Sequence, residues 1–292
     1  MVEIIYCVIY SEFMKEKIDV RLSIDREVYE SAKKHAGIKR TPEQVMEQLL
    51  TRMLVKHRVK VAFLLVGGEG TRLRPFTYEI PKPLIPIKGK TLLEHVLDLL
   101  RKYQINEAIL SVGYKKEQIK DYFGNGGRFG MKISYVEEET PLGTAGPLRL
   151  AKDALKETFL MMNGDILTDI DLFSMIDQHE ETGAMGTIAL TTVEDPSRYG
   201  VAKLKGNQIL EFIEKPKKEE APSNLINAGI YVLEPEIFKY IPNEGKAMLE
   251  KDVFPKLAKE GKLYGYPFEG KWYDTGTLEA YERVLSEWRG IE

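Results

Sequence analysis

Between Gly67 and Lys82 the chain reads GGEGTRLRPFTYEIPK, which places three glycines, two arginines and a lysine within one short stretch. That set suits an anion. Glycine lets backbone N–H groups come close to a phosphate, and an arginine fork grips phosphate oxygens in pairs where lysine offers a point charge. Gly67, Gly68 and Gly70 are expected to turn with positive φ, Thr71 stands beside them, Arg72 and Arg74 supply the guanidinium groups, and Lys82 follows on a loop able to fold back. Two common phosphate motifs fail on spacing. A dinucleotide fingerprint starting at Gly68 needs glycine at Leu73, and a Walker A loop ending at Gly89-Lys90-Thr91 needs glycine at Leu84. Farther along, the apolar run Phe159–Met162 leads through Asn163-Gly164 to Asp165, and Trp272-Tyr273-Asp274-Thr275-Gly276 offers a second carboxylate, for which a cap before the last helix is the lesser reading.

Groups so far apart in sequence need a sheet to bring them to one edge. Val59 to Val66 is a continuous apolar run rich in β-branched residues, as expected of a strand buried on both faces of a parallel sheet. Open α/β sheets bind ligands at the carboxyl ends of such strands. Beyond it the pattern alternates: helix 92–103, strand 107–112, helix 116–123, strand 132–137, helix 145–155, strand 158–162 and helix 171–181. This predicts a mostly parallel sheet with right-handed crossovers. Strands at 186–193 and 226–233, with a hairpin turning at Gly206-Asn207 between them, form a more antiparallel half. Helices at 235–241 and 249–259, a strand at 263–268 and a helix at 278–288 close the domain.

The string GGEGTRLRP, with Lys82-Pro83-Leu84, resembles the opening of the sugar-phosphate nucleotidyltransferases, and the resemblance extends over residues 59 to 290 with five motifs in order. It implies a Rossmann-like α/β domain that joins a sugar 1-phosphate to a nucleoside triphosphate and releases pyrophosphate. By the same resemblance Arg72, Lys82, Asp165, Lys215 and Asp274 form the catalytic set, with Asp165 and Asp274 holding Mg²⁺, a cation satisfied by one or two carboxylates plus phosphate oxygens. Glu214-Lys215-Pro216 looks like the family's sugar-binding Glu-Lys-Pro, and Gly200 and Asn227 match further sugar contacts. The string from Glu137 to Gly146, with Glu138, Pro141, Gly143 and Thr144 assigned to the nucleotide, looks most like the mannose-1-phosphate guanylyltransferases. A carboxylate at Glu138 only accepts hydrogen bonds, which suits the paired N–H groups of guanine. GTP and mannose 1-phosphate are therefore the expected substrates. A glucose-1-phosphate thymidylyl- or uridylyltransferase is the alternative. Phe76 departs from the family, where leucine is frequent. His95 and His179 fall in helical patterns and read as surface or packing residues, not as acid–base groups.

Composition bounds the rest. With 43% hydrophobic residues and 30% charged, the chain reads as globular, and no apolar run reaches membrane-spanning length. The single cysteine, Cys7, excludes an internal disulfide and fits a reducing cytoplasm. The net charge of -3 hides an asymmetry, since residues 1–60 carry 12 Lys/Arg against 9 Asp/Glu.

Residues 1–58 stand outside the nucleotidyltransferase pattern, leaving 59–292 as the catalytic domain. Lys17 to Asp25 alternates strictly, with Ile18, Val20, Leu22 and Ile24 on one face and Lys17, Asp19, Arg21 and Ser23 on the other. A helix from Arg26 to Ala36 ends at Gly37, and a second begins at Thr41, with Pro42 and Gln44 at capping-box spacing, and runs to Lys56. Strand, helix and helix resemble a ribbon-helix-helix module, which pairs its strands across a dimer. Homo-oligomerisation through this module is the expectation, in place of the left-handed β-helix that many family members carry. DNA binding by the ribbon is the less favoured alternative, because Asp19 would repel phosphate; with it goes a different class of protein, a DNA-binding regulator that senses sugar nucleotides. The first 13 residues, lacking a basic start, read as a strand and not as a signal peptide, and Met14 is a second candidate start.

Overall fold

The computed structural model describes residues 2–11, 16–36, 41–46 and 59–291, with side chains from Ser23 onward except at 35 and 36. The chain forms two compact units, Met1–Arg58 and Val59–Glu292. Met14, Gly37, the predicted run of the second helix to Lys56, and the side chains of Cys7 and of 17–22 lie outside the described residues.

In the first unit β1 (Val2–Ser11) and β2 (Glu16–Asp25) pair antiparallel, in register from Val2 opposite Asp25 to Ser11 opposite Glu16. One edge of β2 is thus taken by the chain's own first strand, whereas a simple ribbon-helix-helix pairs that strand with a second copy. Helix α1 (Arg26–Ala36) follows directly. Residues 42–46 (α2) are helical behind the expected capping box. There the Thr41 N–H donates to Gln44 Oε1 at 2.9 Å, and the Gln44 N–H donates to Thr41 Oγ1 at 3.3 Å. Ala32 and Val45 bury together, with Met46 packed against them.

In the second unit the strands in chain order are β3 (Val61–Leu65), the short pair β4 (Pro86–Ile87) and β5 (Lys90–Thr91), β6 (Glu107–Val112), β7 (Lys132–Glu137), β8 (Phe159–Asn163) and β9 (Ile166–Thr168). After them come β10 (Gly186–Thr192), β11 (Gly200–Lys205), β12 (Gln208–Glu214), β13 (Leu225–Leu233), β14 (Leu263–Pro267) and β15 (Trp272–Asp274). The helices are α3 (Phe76–Glu79), α4 (Leu92–Lys102), α5 (Lys116–Phe123), α6 (Leu172–Thr182), α7 (Phe254–Lys259) and α8 (Leu278–Glu287). Nine strands form one sheet in the order β10-β14-β12-β11-β13-β8-β3-β6-β7. Alternate residues of β3 feed opposite layers: Ala62 and Leu64 join one core cluster, Phe63 the other.

The expected mostly parallel sheet needs correction. The sheet is mixed: β8, β3, β6 and β7 form a parallel block and β10 pairs parallel with β14, while β13 runs antiparallel to β8, and the β10–β13, β11–β13, β11–β12 and β12–β14 ladders are antiparallel. Short hairpin turns such as Gly206-Asn207 allow antiparallel pairing without a crossover helix. Three predicted helices are also looser. Residues Gly146–Ala151 form 3₁₀ turns, as do Pro235–Lys239, and Leu249–Val253 is a wide π turn ahead of α7. Proline explains the last, since Pro255 has no N–H to bond back one turn. The segment after Ala145 is held by tertiary bonds, Ala145 and Gly146 both donating to the Ala247 carbonyl at 2.9 and 3.2 Å. His95 and His179 are both buried. His95 Nε2 meets the Ile87 carbonyl at 2.8 Å while Trp288 Nε1 donates to its Nδ1 at 3.3 Å, and His179 lies between Thr187 and Glu234. Among the described residues no helix is long and apolar enough to cross a membrane.

Candidate active site

The glycine turn leaves β3 between two neighbours. Val66 N–H donates to the Ser111 carbonyl at 3.0 Å on the β6 side, and Gly164 N–H donates to the Leu65 carbonyl at 2.9 Å on the β8 side. Of the three glycines only Gly70 takes positive φ, at 61°, which corrects the expectation for Gly67 and Gly68. Gly67 is needed for space instead: a Cβ there would lie 3.0 Å from both Glu138 Oε1 and the Gly113 nitrogen. A Cβ on Gly68 would meet nothing. At Gly70 the chain turns back. Thr77 Oγ1 donates to its carbonyl at 3.0 Å, and the stem of Lys82 packs over it, Lys82 Cβ standing 3.3 Å from a Gly70 Cβ position.

Lys82 is buried, and its ammonium donates to Asp165 Oδ2. Burial alone would push the Asp165 carboxyl up, but the charge and hydrogen bond of Lys82 outweigh it and hold the group below its ordinary value, with Arg72 adding to the effect. Asp274 moves the other way. Burial raises it first and the Asp165 charge second, against the opposing pull of Lys82 and Arg72.

What joins these aspartates is a two-stranded ribbon, in which β15 pairs antiparallel with β9 and Asp274 stands opposite Ile166. Thr275 clamps the end of the ribbon, its N–H and hydroxyl both donating to the Asp165 carbonyl at 3.1 and 2.9 Å. Gly276 N–H caps Asp274 Oδ1 at 2.9 Å, and a Cβ on Gly276 would lie 2.5 Å from Arg72 Nη2, so Arg72 passes across that glycine.

A cavity of ≈ 180 Å³ opens at this point. Six of the residues singled out in the sequence line it: Arg72, Asp165, Gly200, Glu214, Asn227 and Asp274. Gly200 lies opposite Glu214 in the β11–β12 ladder, and a Cβ on it would press within 2.4 Å of the Phe212 ring and 3.0 Å of Glu214 Oε2. Burial raises the Glu214 carboxyl, against the counter-pull of Lys215 and Lys251. Asn227 is internally engaged, donating to Tyr231 Oη and accepting from the Gly229 N–H, each at 2.9 Å. Lys215 stands outside the lining: its side chain is 64% exposed and its backbone is left-handed at φ 49°, an uncommon conformation for a residue with a side chain. Its Nζ lies 3.6 Å from Oε1 of Glu214, which does line the cavity.

The expected nucleotide residues, Gly67, Gly68, Gly70, Thr71, Arg74, Glu138, Pro141, Gly143 and Thr144, do not line this cavity. They occupy the loops that follow β3 and β7. Arg74 is exposed, ion-paired to Glu69 at 3.3 Å and lying 5.0 Å from the Tyr78 ring centre. Glu138 accepts from Ser111 Oγ at 2.7 Å through one oxygen and from the Leu142 N–H at 3.0 Å through the other.

The other lining residues were not foreseen as part of the site, among them Asn163, Arg198, Trp272 as a wall, and Glu250. Trp272 meets the Tyr199 ring edge-on at 5.6 Å and donates to the Ala228 carbonyl at 2.9 Å. Glu250 is buried and accepts from Thr144 Oγ1 at 2.6 Å. Asn163 and Trp272 adjoin motifs already noted, so their position was a usable signal. Glu250 lies in an amphipathic stretch with no local mark.

A hard divalent cation takes oxygen donors, and the Asp165 and Asp274 carboxylates, which line the cavity with Arg72, are donors of that kind. Among the described residues no cluster of three or more His, Cys, Asp or Glu side chains is arranged for a metal, so any such cation would take its remaining ligands from substrate or water.

Residues 61–289 match the family model described as nucleotidyl transferase. The chain is 41% identical over 220 residues to the mannose-1-phosphate guanylyltransferase catalytic subunit beta of Dictyostelium discoideum, covering 74% of this chain and 60% of that protein. It is 40% identical over 246 residues to a UTP–glucose-1-phosphate uridylyltransferase of Synechocystis, covering 79% and 63%. The chain thus spans about three fifths of the length of these curated relatives. Among solved structures it is similar to a Bacillus anthracis protein described as a glucose-1-phosphate thymidylyltransferase, crystallised with sucrose. The TM-score is 0.73 at 26% identity, over 79% of this chain and 96% of that one.

Proposed function

The chain belongs to the nucleotidyl transferase family, and from that membership and the geometry of the cleft we propose that it transfers a nucleoside monophosphate from a nucleoside triphosphate to a sugar 1-phosphate. The observation that carries this reading is the β9–β15 ribbon, which sets Asp165 and Asp274 at the edge of the cavity that also holds Arg72 and Glu214. A phosphate oxygen of the sugar phosphate attacks the α-phosphorus, the bond from that phosphorus to the bridging oxygen breaks, and pyrophosphate leaves. No general base is required, since the attacking group is already ionised near neutral pH. Positioning and charge neutralisation do the work. Arg72 and Lys82 grip the triphosphate, Lys215 swings in to hold the sugar phosphate, and Glu214, Asn227 and Glu250 face the sugar hydroxyls. Mg²⁺ held by Asp165 and Asp274 would act as Lewis acid and template between the two anions.

For the substrates, GTP and mannose 1-phosphate are the favoured pair. Glu138 supports guanine: a carboxylate has about four lone-pair sites, and the two internal bonds it accepts leave acceptor capacity on both oxygens. The Dictyostelium relative carries a guanylyltransferase name. Residues 1–58 are proposed to hold two copies of the chain together. The hairpin supports this, because two strands alone are marginally stable and, among the described residues, one edge of β2 has no partner strand. Pyrophosphate release measured across GTP, dTTP, UTP, CTP and ATP, each with mannose and glucose 1-phosphate, tests the assignment. A strong preference for dTTP or UTP with glucose 1-phosphate rejects the guanine reading, and no release with any pair rejects the enzyme class.

A further inference from the structure

Thr144 belongs to a string that its sequence setting assigns to the nucleotide, yet its hydroxyl is spent elsewhere. It donates to Glu250 Oε2 at 2.6 Å and accepts from the Leu249 N–H at 2.8 Å. A threonine hydroxyl has one proton to donate, so no donor is left for a nucleotide. The residues around Thr144 are tied to the same segment. Gly143, at φ 83°, packs so closely that a Cβ would lie 2.4 Å from the Ala247 carbonyl oxygen. Ala247 N–H donates to the Leu142 carbonyl at 2.9 Å. Glu250, at the other end of the bond, is buried and lines the cavity with Glu214 and Gly200. Burial raises its carboxyl, and the Thr144 hydrogen bond draws it back.

We infer that Thr144 is a positioning residue for the sugar subsite, fixing the Glu250 carboxylate so that one oxygen is held by the protein and the other is left to accept from a sugar hydroxyl. The role rests on the proposed nucleotidyl transfer and deepens it: Gly143 and Thr144 act on sugar recognition through Glu250, while Glu138 alone braces the nucleotide end of the loop. A long buried carboxylate without its second anchor samples several rotamers, and the ordering of each is then charged to sugar binding.

The test separates the two substrates. In Thr144→Val the KM for sugar 1-phosphate should rise about tenfold, as for loss of one hydrogen bond to a charged group, with the KM for the triphosphate unchanged. Thr144→Ser should restore it. Glu250→Gln should show the same sugar-only effect, and adding Thr144→Val to it should cost little more, since both act through one bond. Trp272 in the cavity wall gives a readout free of turnover, its fluorescence on titration with mannose 1-phosphate or glucose 1-phosphate. A wild-type chain that binds neither sugar phosphate sinks the functional reading itself. A wild-type chain that binds one of them, with Thr144→Val and Glu250→Gln binding it equally well, overturns the inference alone. So does a Thr144→Val effect confined to the triphosphate KM. Should Thr144→Val fail to fold, the Glu250→Gln split decides.

Discussion

Replacing Lys82 with methionine removes the one ammonium that meets Asp165 while keeping an unbranched stem over Gly70. Taking away one partner of a fully buried ion pair costs about 3–5 kcal/mol. Here the Lys82 side chain is 11% exposed and that of Asp165 30%, so solvent carries part of the load and roughly two thirds of that figure, about 2–3 kcal/mol, is expected near neutral pH. The sign with pH follows from Asp165. Its folded value lies below the ordinary 3.8, so the stabilisation it draws from Lys82 is complete above that value and is lost as pH falls through the lower folded value. Urea denaturation of wild type and Lys82→Met at neutral pH should therefore give separated midpoints at equal slope, and the gap should narrow only as the pH falls below 3.8. Mg²⁺ should narrow it as well, by replacing the missing positive charge between Asp165 and Asp274. Coincident midpoints at neutral pH, or a gap that persists unchanged into acid, would show that the pair contributes nothing net and refute the electrostatic account.

Asp274→Asn should lower turnover roughly 100-fold and weaken Mg²⁺ binding seen by calorimetry, since one of two facing carboxylates is lost; wild-type Mg²⁺ affinity in the variant would remove Asp274 from the metal site. Gly143→Ala should destabilise by about 2–4 kcal/mol in thermal or chemical unfolding, from left-handed strain together with overlap on the Ala247 carbonyl. Glu137 is held down to about 2 by hydrogen bonds from Lys116 first and Lys120 second. Its contribution is present above the ordinary 4.5 and fades as pH falls toward about 2, so Glu137→Gln should lower the melting temperature at neutral pH and match wild type in strong acid. High salt should shrink that difference too, as the cluster is open to solvent.

How much of the site could be read in advance depended on whether its residues carry a local mark. Gly70, Arg72 and Lys82 sit within one short stretch whose turn chemistry is local, and the structure folds Lys82 back over Gly70. The β3 strand, buried on both faces, was legible from its unbroken apolar run. The 3₁₀ turns at Gly146–Ala151 were missed because tertiary bonds to the Ala247 carbonyl override the helical periodicity there, and the π turn at Leu249–Val253 because Pro255 has no N–H to bond back one turn.

By itself the sequence determined which chemistry the chain can perform. A glycine-arginine turn, a lysine on a returning loop and two carboxylates at strand ends are the donor types that the proposed transfer calls for, because residue type and short-range spacing set donor geometry and charge. The longer strands and helices of the second unit were legible in order as well, apart from α3, the short strands β4, β5, β9 and β15, and the stretches that form 3₁₀ and π turns. Only the tertiary structure decided which of those groups meet. Asp165 and Asp274 become neighbours through a ribbon of three residues on each side, and the Thr144 hydroxyl meets Glu250 in a bond across 106 positions. Such pairings depend on how loops between distant strands pack, and no periodicity or propensity within a local window encodes that.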